Sequence, residues 1–223
     1  MRHAGSIVMR TLLVTACLLQ CLRASAQEPP PPIPRFVFDV HAAFFPFPST
    51  PELAASRGLD IRQLPGTGLG GDLAVHVYPL TWKKVTFGIG GRVVRARASS
   101  SDLMVAGSGG TVTTLKGASE SFTYVSPQLS FNFGSGTGWS YLSAGIGRAK
   151  WTLVQDGAEN LPTDDERLKT IDYGGGARWF AKPHLAFSFD VRFYAINPST
   201  PAGALPTSPR LTMLVIGVGV SIK

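Results

Sequence analysis

The chain has 223 residues, a formal net charge of +7 and only 16% charged residues, against roughly 25% in an ordinary soluble domain. The positive charge is too scattered, and after removal of the N-terminal arginines too mild, to suggest a nucleic-acid protein. The body of the chain holds no apolar run of about 18 residues, which excludes a transmembrane helix.

The N-terminus predicts a secretion signal. Arg2 and Arg10 supply positive charge, "TLLVTACLL" is a short apolar segment, and "ASA" at 24–26 is a small-x-small cleavage site before Gln27. The signal peptide is therefore placed at 1–26, with cleavage near Ala26; initiation at Met1 and at Met9 both fit. Cys17 and Cys21 lie inside it, so the mature chain has no disulfide or thiol chemistry. "VTAC" resembles a lipoprotein cleavage box, but the apolar segment continues past Cys17 to the "ASA" site. Removing Arg2, Arg10 and Arg23 leaves 18 basic against 14 acidic residues, a mature charge of +4. Residues 27–34, with "EPPPPIP", form a stiff Pro-rich leader before a folded part at 35–223.

Eight strand-like segments follow, at 35–45, 68–79, 84–97, 120–133, 138–153, 168–180, 184–197 and 210–222. Most are about 10–14 residues long, beyond the usual soluble strand of about 5–6 and sufficient for a tilted transmembrane strand of roughly 9–11. The connections 46–67, 98–119, 154–167 and 198–209 are long and rich in Pro, Gly, Ser and acidic residues. Those near 80–83, 134–137 and 181–183 are short. This layout predicts an all-β fold, an eight-stranded antiparallel up-and-down transmembrane β-barrel with long extracellular loops and short periplasmic turns.

The strands alternate with period two. In the seventh, Leu185, Phe187, Phe189, Val191 and Phe193 share one face, and Ala186, Ser188, Asp190, Arg192 and Tyr194 the other. The first sets Phe36, Phe38, Val40, Ala42 and Phe44 against Val37, Asp39, His41, Ala43 and Phe45. The polar face is mostly Gly, Ser and Thr with an isolated charge, whereas a soluble barrel needs frequent Lys and Glu outside. The apolar face is therefore assigned to lipid and the polar face to a crowded interior; a soluble lipocalin-like barrel is the alternative. Trp82, Trp139 and Trp179 flank the three short turns, and Trp151 lies at the other end of the fifth strand. All four are expected in membrane-interface girdles; ordinary core tryptophans are the alternative.

If Phe180 faces His184 across the turn 181–183, Asp172 meets Arg192 inside the barrel. If Leu80 faces Lys84, Asp72 meets Arg92. With Asp39, Arg178 and Asp190, and with His41 and His76 as further candidates, these residues are expected to form a charge network that closes the lumen. Solvated charges in a narrow wet pore are the alternative. Arg95, Arg97, Arg148 and Lys150 continue the lipid-facing parity toward the long loops, where they suit the phosphates of lipopolysaccharide; ordinary polar strand ends are the alternative. No nucleophile–base spacing, metal-ligand cluster or cofactor motif is present. "DDE" at 164–166 is an acidic loop run, and "GTGLGG" at 66–71 precedes a strand rather than the helix of a phosphate loop.

"GGGARWFAKPHLAFSFDVRF", a strand–Pro turn–strand signature, and the closing "GVGVSI" resemble the family of small eight-stranded outer-membrane barrels, the OmpA-like and OmpX-like group, over about residues 35–223. The resemblance implies an outer-membrane location among lipid and lipopolysaccharide, with a final strand read by the barrel-insertion machinery. The chain departs from the pattern by ending in Lys223 instead of an aromatic residue. The expected role is structural or surface-interactive through four extracellular loops, without catalysis, cofactor or metal and with no loop partner specified. A narrow pore for small solutes and a lipid-modifying barrel enzyme are the alternatives.

Overall fold

The computed structural model describes residues 29–107, 110–158, 165–199 and 205–223. The predicted signal peptide lies outside them, as does the start of the "DDE" run. Within Pro32–Lys223, eight strands close into one antiparallel barrel: β1 (Phe36–Phe45), β2 (Gly68–Trp82), β3 (Val85–Ser99), β6 (Ala118–Ser135), β7 (Gly138–Gln155), β8 (Asp165–Lys182), β9 (Leu185–Ile196) and β10 (Leu211–Ile222). Each pairs with its neighbour in the chain, and β10 returns to β1. Between β3 and β6, β4 (Leu103–Ala106) and β5 (Val112–Leu115) form a separate hairpin.

The alternation decides the two surfaces. Phe38, Val40, Val75, Ile89, Leu129, Phe187 and Val218 are exposed on the outer wall, while Asp39, His41, Asp72, Arg92, Asp172 and Arg192 are buried. An apolar exterior around a polar interior is the arrangement that lipid requires. Closure is equally necessary, because an open sheet edge in hydrocarbon would leave backbone groups unpaired.

Two hairpins differ from the expected register. Val77 pairs with Ile89 and Leu80 with Phe87, so Tyr78 and Pro79 together oppose Gly88. This bulge accommodates Pro79, which has no N–H for the ladder. In β8–β9, Phe180 pairs with Ala186 and Lys182 with Leu185, leaving Ala181 as the extra residue. Asp172 therefore faces Tyr194, and Arg192 faces Gly174; Asp72 faces Val94, and Arg92 faces Ala74. Each register moves by two, so no side chain changes face.

The interior has three levels. At the short-turn end, Val37, Tyr78 and Trp139 pack with Ile33 and Phe180. The middle carries the charges. Toward the long loops lies an apolar core that includes Phe45, Phe122, Trp151, Leu153, Tyr194 and Met213.

The loop 46–67 folds onto this upper core. Its helix α1 (Pro51–Ser56) starts at Thr50, whose side chain accepts a hydrogen bond from Leu53 N, with Pro51 in the first turn. Leu53 and Ala54 are buried against the core with Phe47 and Leu64. A 3-10 turn, Ile61–Gln63, is held by an Asp60 capping box. Gln63 Nε2 donates to Lys116 O at 2.7 Å, tying the cap to the base of the next loop. The all-β layout expected from the sequence assigns this segment to a loop; the helix is a single short segment over the barrel mouth.

Two outcomes follow. Ile216, exposed in the middle of β10, faces lipid, so Ile216→Arg is expected to destabilise the barrel by about 2–4 kcal/mol. Met104→Arg in the outer hairpin should change stability by less than about 0.5 kcal/mol. Urea titration of folding into vesicles measures both. The loops also respond to acid. Hydrogen bonds from Arg62 hold the Asp60 carboxyl well below its ordinary 3.8, and those from Lys116 and Gly117 lower Asp102. A lowered carboxyl pKa stabilises above its unfolded value. The protection factors of the Arg62 and Gly117 amides, which donate to these two carboxylates, should therefore persist above about pH 4 and fall as the pH drops below it.

Candidate functional site

The middle level of the lumen joins residues from all eight barrel strands. Arg178 on β8 grips Asp39 on β1 through two parallel bonds, Nε to Oδ1 at 2.8 Å and Nη2 to Oδ2 at 2.6 Å. Ser221 on β10 donates to the same carboxylate. Arg192 on β9 donates to Asp172 at 2.7 Å and spans both oxygens of Asp190 at 3.1 Å. Arg92 on β3 is ion-paired with Asp72 on β2 and lies 3.4 Å from Asp190. Bidentate, charge-assisted contacts of this kind are the geometry that favours burying a guanidinium.

Neutral groups complete the carboxylates' coordination. Tyr124 Oη and Gln128 Nε2 donate to Asp172 at 2.6 and 2.9 Å, and Tyr141 Oη donates to Asp190 at 2.6 Å. His41 lies beside Asp72, with Nδ1 3.6 Å from its carboxylate, and its Nε2 shares a hydrogen bond with Ser188 Oγ at 2.9 Å. His76 is buried, and neither of its ring nitrogens has a protein hydrogen-bond partner. Arg178 stacks 4.0 Å from the Tyr141 ring centroid and 5.4 Å from that of Trp139, a cation–π contact that covers its planar face.

Trp139 and Trp151 do not stand in a girdle. They are 3% and 1% exposed, whereas Trp82 and Trp179 are 62% and 58% exposed on the outer wall. Trp139 pairs with Arg178, and Trp151 with Phe122, in the inward register. Trp139 stacks on Phe180 at 5.1 Å and meets Tyr78 edge-on; Trp151 Nε1 donates to the buried Glu120 at 2.6 Å. Nearness to a turn does not distinguish the faces; residue parity does. At the same short-turn end, Lys223 lies 3.9 Å over the Phe180 ring and donates to Gly136 O. Lys223 thus places an ammonium against an aromatic ring at the lower mouth.

On the outer wall, Arg95, Arg97, Arg148 and Lys150 are exposed. Arg95 pairs with Thr123 and Thr123 with Lys150, so these cations flank β6 from β3 and β7. Two more basic residues missed by the sequence reading extend the face. Lys169 lies opposite Arg148 and Arg167 opposite Lys150, and both are exposed. Their odd-numbered parity with Ile171 and Tyr173 is the signal in the sequence; Arg167 falls just outside the segment placed at 168–180, and Lys169 just inside its start.

Comparison with solved structures gives the fold. Neisserial surface protein A matches with a TM-score of 0.51 at 12% identity, over 85% of this chain and 97% of that one. The chain has the fold of the small eight-stranded outer-membrane barrels. The attachment invasion locus protein Ail of Yersinia pestis is similar at a TM-score of 0.45 and 14% identity, over 84% and 97% of the two chains. No protein-family model and no curated protein sequence matches this barrel.

The ionic layer is open to a direct test. Arg178→Met leaves Asp39 buried without its ion-pair partner and is expected to cost about 3–5 kcal/mol. Asp39→Asn combined with Arg178→Met should recover a substantial part of that loss. Urea unfolding of the two single variants and the double variant measures the coupling; strictly additive losses would sink the pair as an interacting unit.

Proposed function

We propose that the protein is an integral outer-membrane barrel with a closed lumen, acting as a structural or surface-interaction protein through its extracellular loops and without catalysis. One observation carries this reading: the charged middle of the lumen lies between an aromatic layer at the short-turn mouth and an apolar core with a folded cap at the long-loop mouth. A water-filled channel needs continuous wetted space, and the bulky side chains at both ends oppose it. The arginines and carboxylates neutralise one another across the barrel, leaving them unlike a selectivity ring of one charge sign.

The chain is exported by its signal peptide, cleaved near Ala26, and inserted with β10 as the strand read by the insertion machinery. Trp82 and Trp179 anchor the short-turn boundary, and the outer basic residues meet the anionic leaflet beneath the long loops. The extracellular loops supply the contact surface.

The purified barrel in planar bilayers is expected to give no steady single-channel current. A large, persistent current would overturn the closed-lumen reading in favour of a solute pore. Expression in an outer-membrane-bearing host should leave the lipid A mass spectrum unchanged; a new mass would identify a lipid-modifying enzyme instead.

A further inference from the structure

We infer a lipid seat on the outer wall, with a cationic headgroup clamp on β7 and β8 above an apolar groove, for a phosphorylated multi-acyl lipid of the lipid A class. The inference rests on the proposed outer-membrane placement and adds to it a defined site. The clamp consists of two successive cross-strand pairs of like charge: Arg148 opposite Lys169, and Lys150 opposite Arg167. All four residues are exposed on the wall. Like charges directly opposite one another in a sheet are mutually destabilising. Asp165, opposite Thr152 one row higher, is an acidic position at the top of the same two strands.

A groove of about 1080 Å³ opens immediately below the clamp. Its floor includes Ala144 and Gly175, small residues among the large side chains of the outer wall. Leu129 stands on one side, paired with Ala144. Tyr173 and Phe193 stand on the other, their rings stacked at 5.4 Å. Ile146 and Ile171 line the upper part and pair with one another. Two residues further up their strands, on the same face, come Arg148 and Lys169. That step is about 7 Å along a strand, so a phosphate held by the clamp places its attached acyl chain at the head of the groove.

The occupant follows from charge and shape together. Four cations select a polyanionic headgroup, and the apolar depression selects acyl chains over a bare phosphate. An inner-leaflet lipid would meet the other end of the barrel, where the short turns lie. Arg95, across Thr123 from Lys150, broadens the clamp toward β3.

The test uses the full mature barrel in lipid nanodiscs with hexa-acyl bisphosphorylated lipid A as the probe and native mass spectrometry as the readout. Dephosphorylated lipid A, phosphatidylethanolamine and inorganic phosphate are parallel arms. The variant Arg148→Gln/Lys150→Gln/Arg167→Gln/Lys169→Gln is expected to weaken lipid A binding about a hundredfold. Ala144→Phe, which fills the groove, should weaken it about tenfold, equivalent to one or two buried methylenes. Lys83→Gln/Lys84→Gln at the short-turn end should leave it unchanged.

Heat-modifiable gel mobility establishes that each variant is folded; where the quadruple variant is not, Arg148→Gln/Lys169→Gln carries the same test. A folded clamp variant that binds like the wild type overturns the headgroup assignment. An unaffected Ala144→Phe overturns the acyl seat, and inorganic phosphate competing as strongly as lipid A overturns the lipid in favour of an anion site. A wild-type barrel that fractionates with the outer membrane but prefers lipid A no more than phosphatidylethanolamine overturns the seat and leaves the membrane placement standing. Recovery only from the soluble periplasm would overturn both.

Discussion

The rest of the barrel is arranged around buried charge in its middle. Four carboxylates and three guanidiniums lie there almost wholly removed from solvent. An isolated charge in such surroundings costs several kcal/mol, and mutual attraction offsets this only with good geometry and with the remaining hydrogen bonds made. Asp39 and Arg178 are 139 positions apart in the chain, and Arg92 and Asp190 are 98 apart; both contacts cross the lumen. Ser221 reaches Asp39 from the last strand. The ionic layer therefore links strands distant in sequence and reinforces the closure that the β1–β10 backbone ladder begins.

Such a layer requires both dry ends and room. Phe180, Trp139 and Tyr78 reduce solvent access from one mouth; Phe45, Phe122, Trp151 and the cap do so from the other. Low surrounding dielectric strengthens every pair inside and raises the cost of leaving one unmade. Room comes from inward glycines. A Cβ at Gly145 would collide with Gln128 Nε2 and lie 2.7 Å from Asp172 Oδ1, both in the network. At Gly88 it would lie 2.8 Å from the Tyr78 ring. These inward glycines make way for large polar side chains in a narrow barrel.

The period-two pattern made the fold legible. It separated Phe187 and Phe189 from Asp190 and Arg192 without any knowledge of partners, because lipid and lumen impose opposite polarities on alternate residues. Strand pairing was less legible, since the bulges at Pro79 and Ala181 depend on turn geometry that alternation does not record. An even register shift left the faces correct and the opposite partners wrong. Asp172 and Arg192 meet diagonally, which long side chains permit. Position at the two ends of the fifth strand suggests a girdle for Trp139 and Trp151, but their parity, opposite to that of Arg148 and Lys150, points inward. The cap escaped notice because a one-turn helix has no periodicity to detect, although "TPELAAS" carries its start signal. Arg167 falls outside the expected sixth segment because that strand begins higher than its apolar residues suggest, and Lys169 stands at the segment's first outward position, above the apolar residues that mark the face.

The two surfaces treat charge differently. Inside, Arg178 and Arg192 are each matched by carboxylates, and Arg92 sits between two. Outside, on β7 and β8, cation stands opposite cation in consecutive rows. Coulomb energy alone would favour interleaving opposite signs, and the lumen shows that this backbone accommodates such pairing. The interior has no external source of counter-charge, so it must be neutralised by residues of the chain. The outer wall meets an environment that can supply anions, and its like-charge rows lie where an apolar surface gives way to polar strand ends. On that wall, the surroundings can add counter-charge to whatever the chain provides, so the strength of the patch varies with the membrane that holds it.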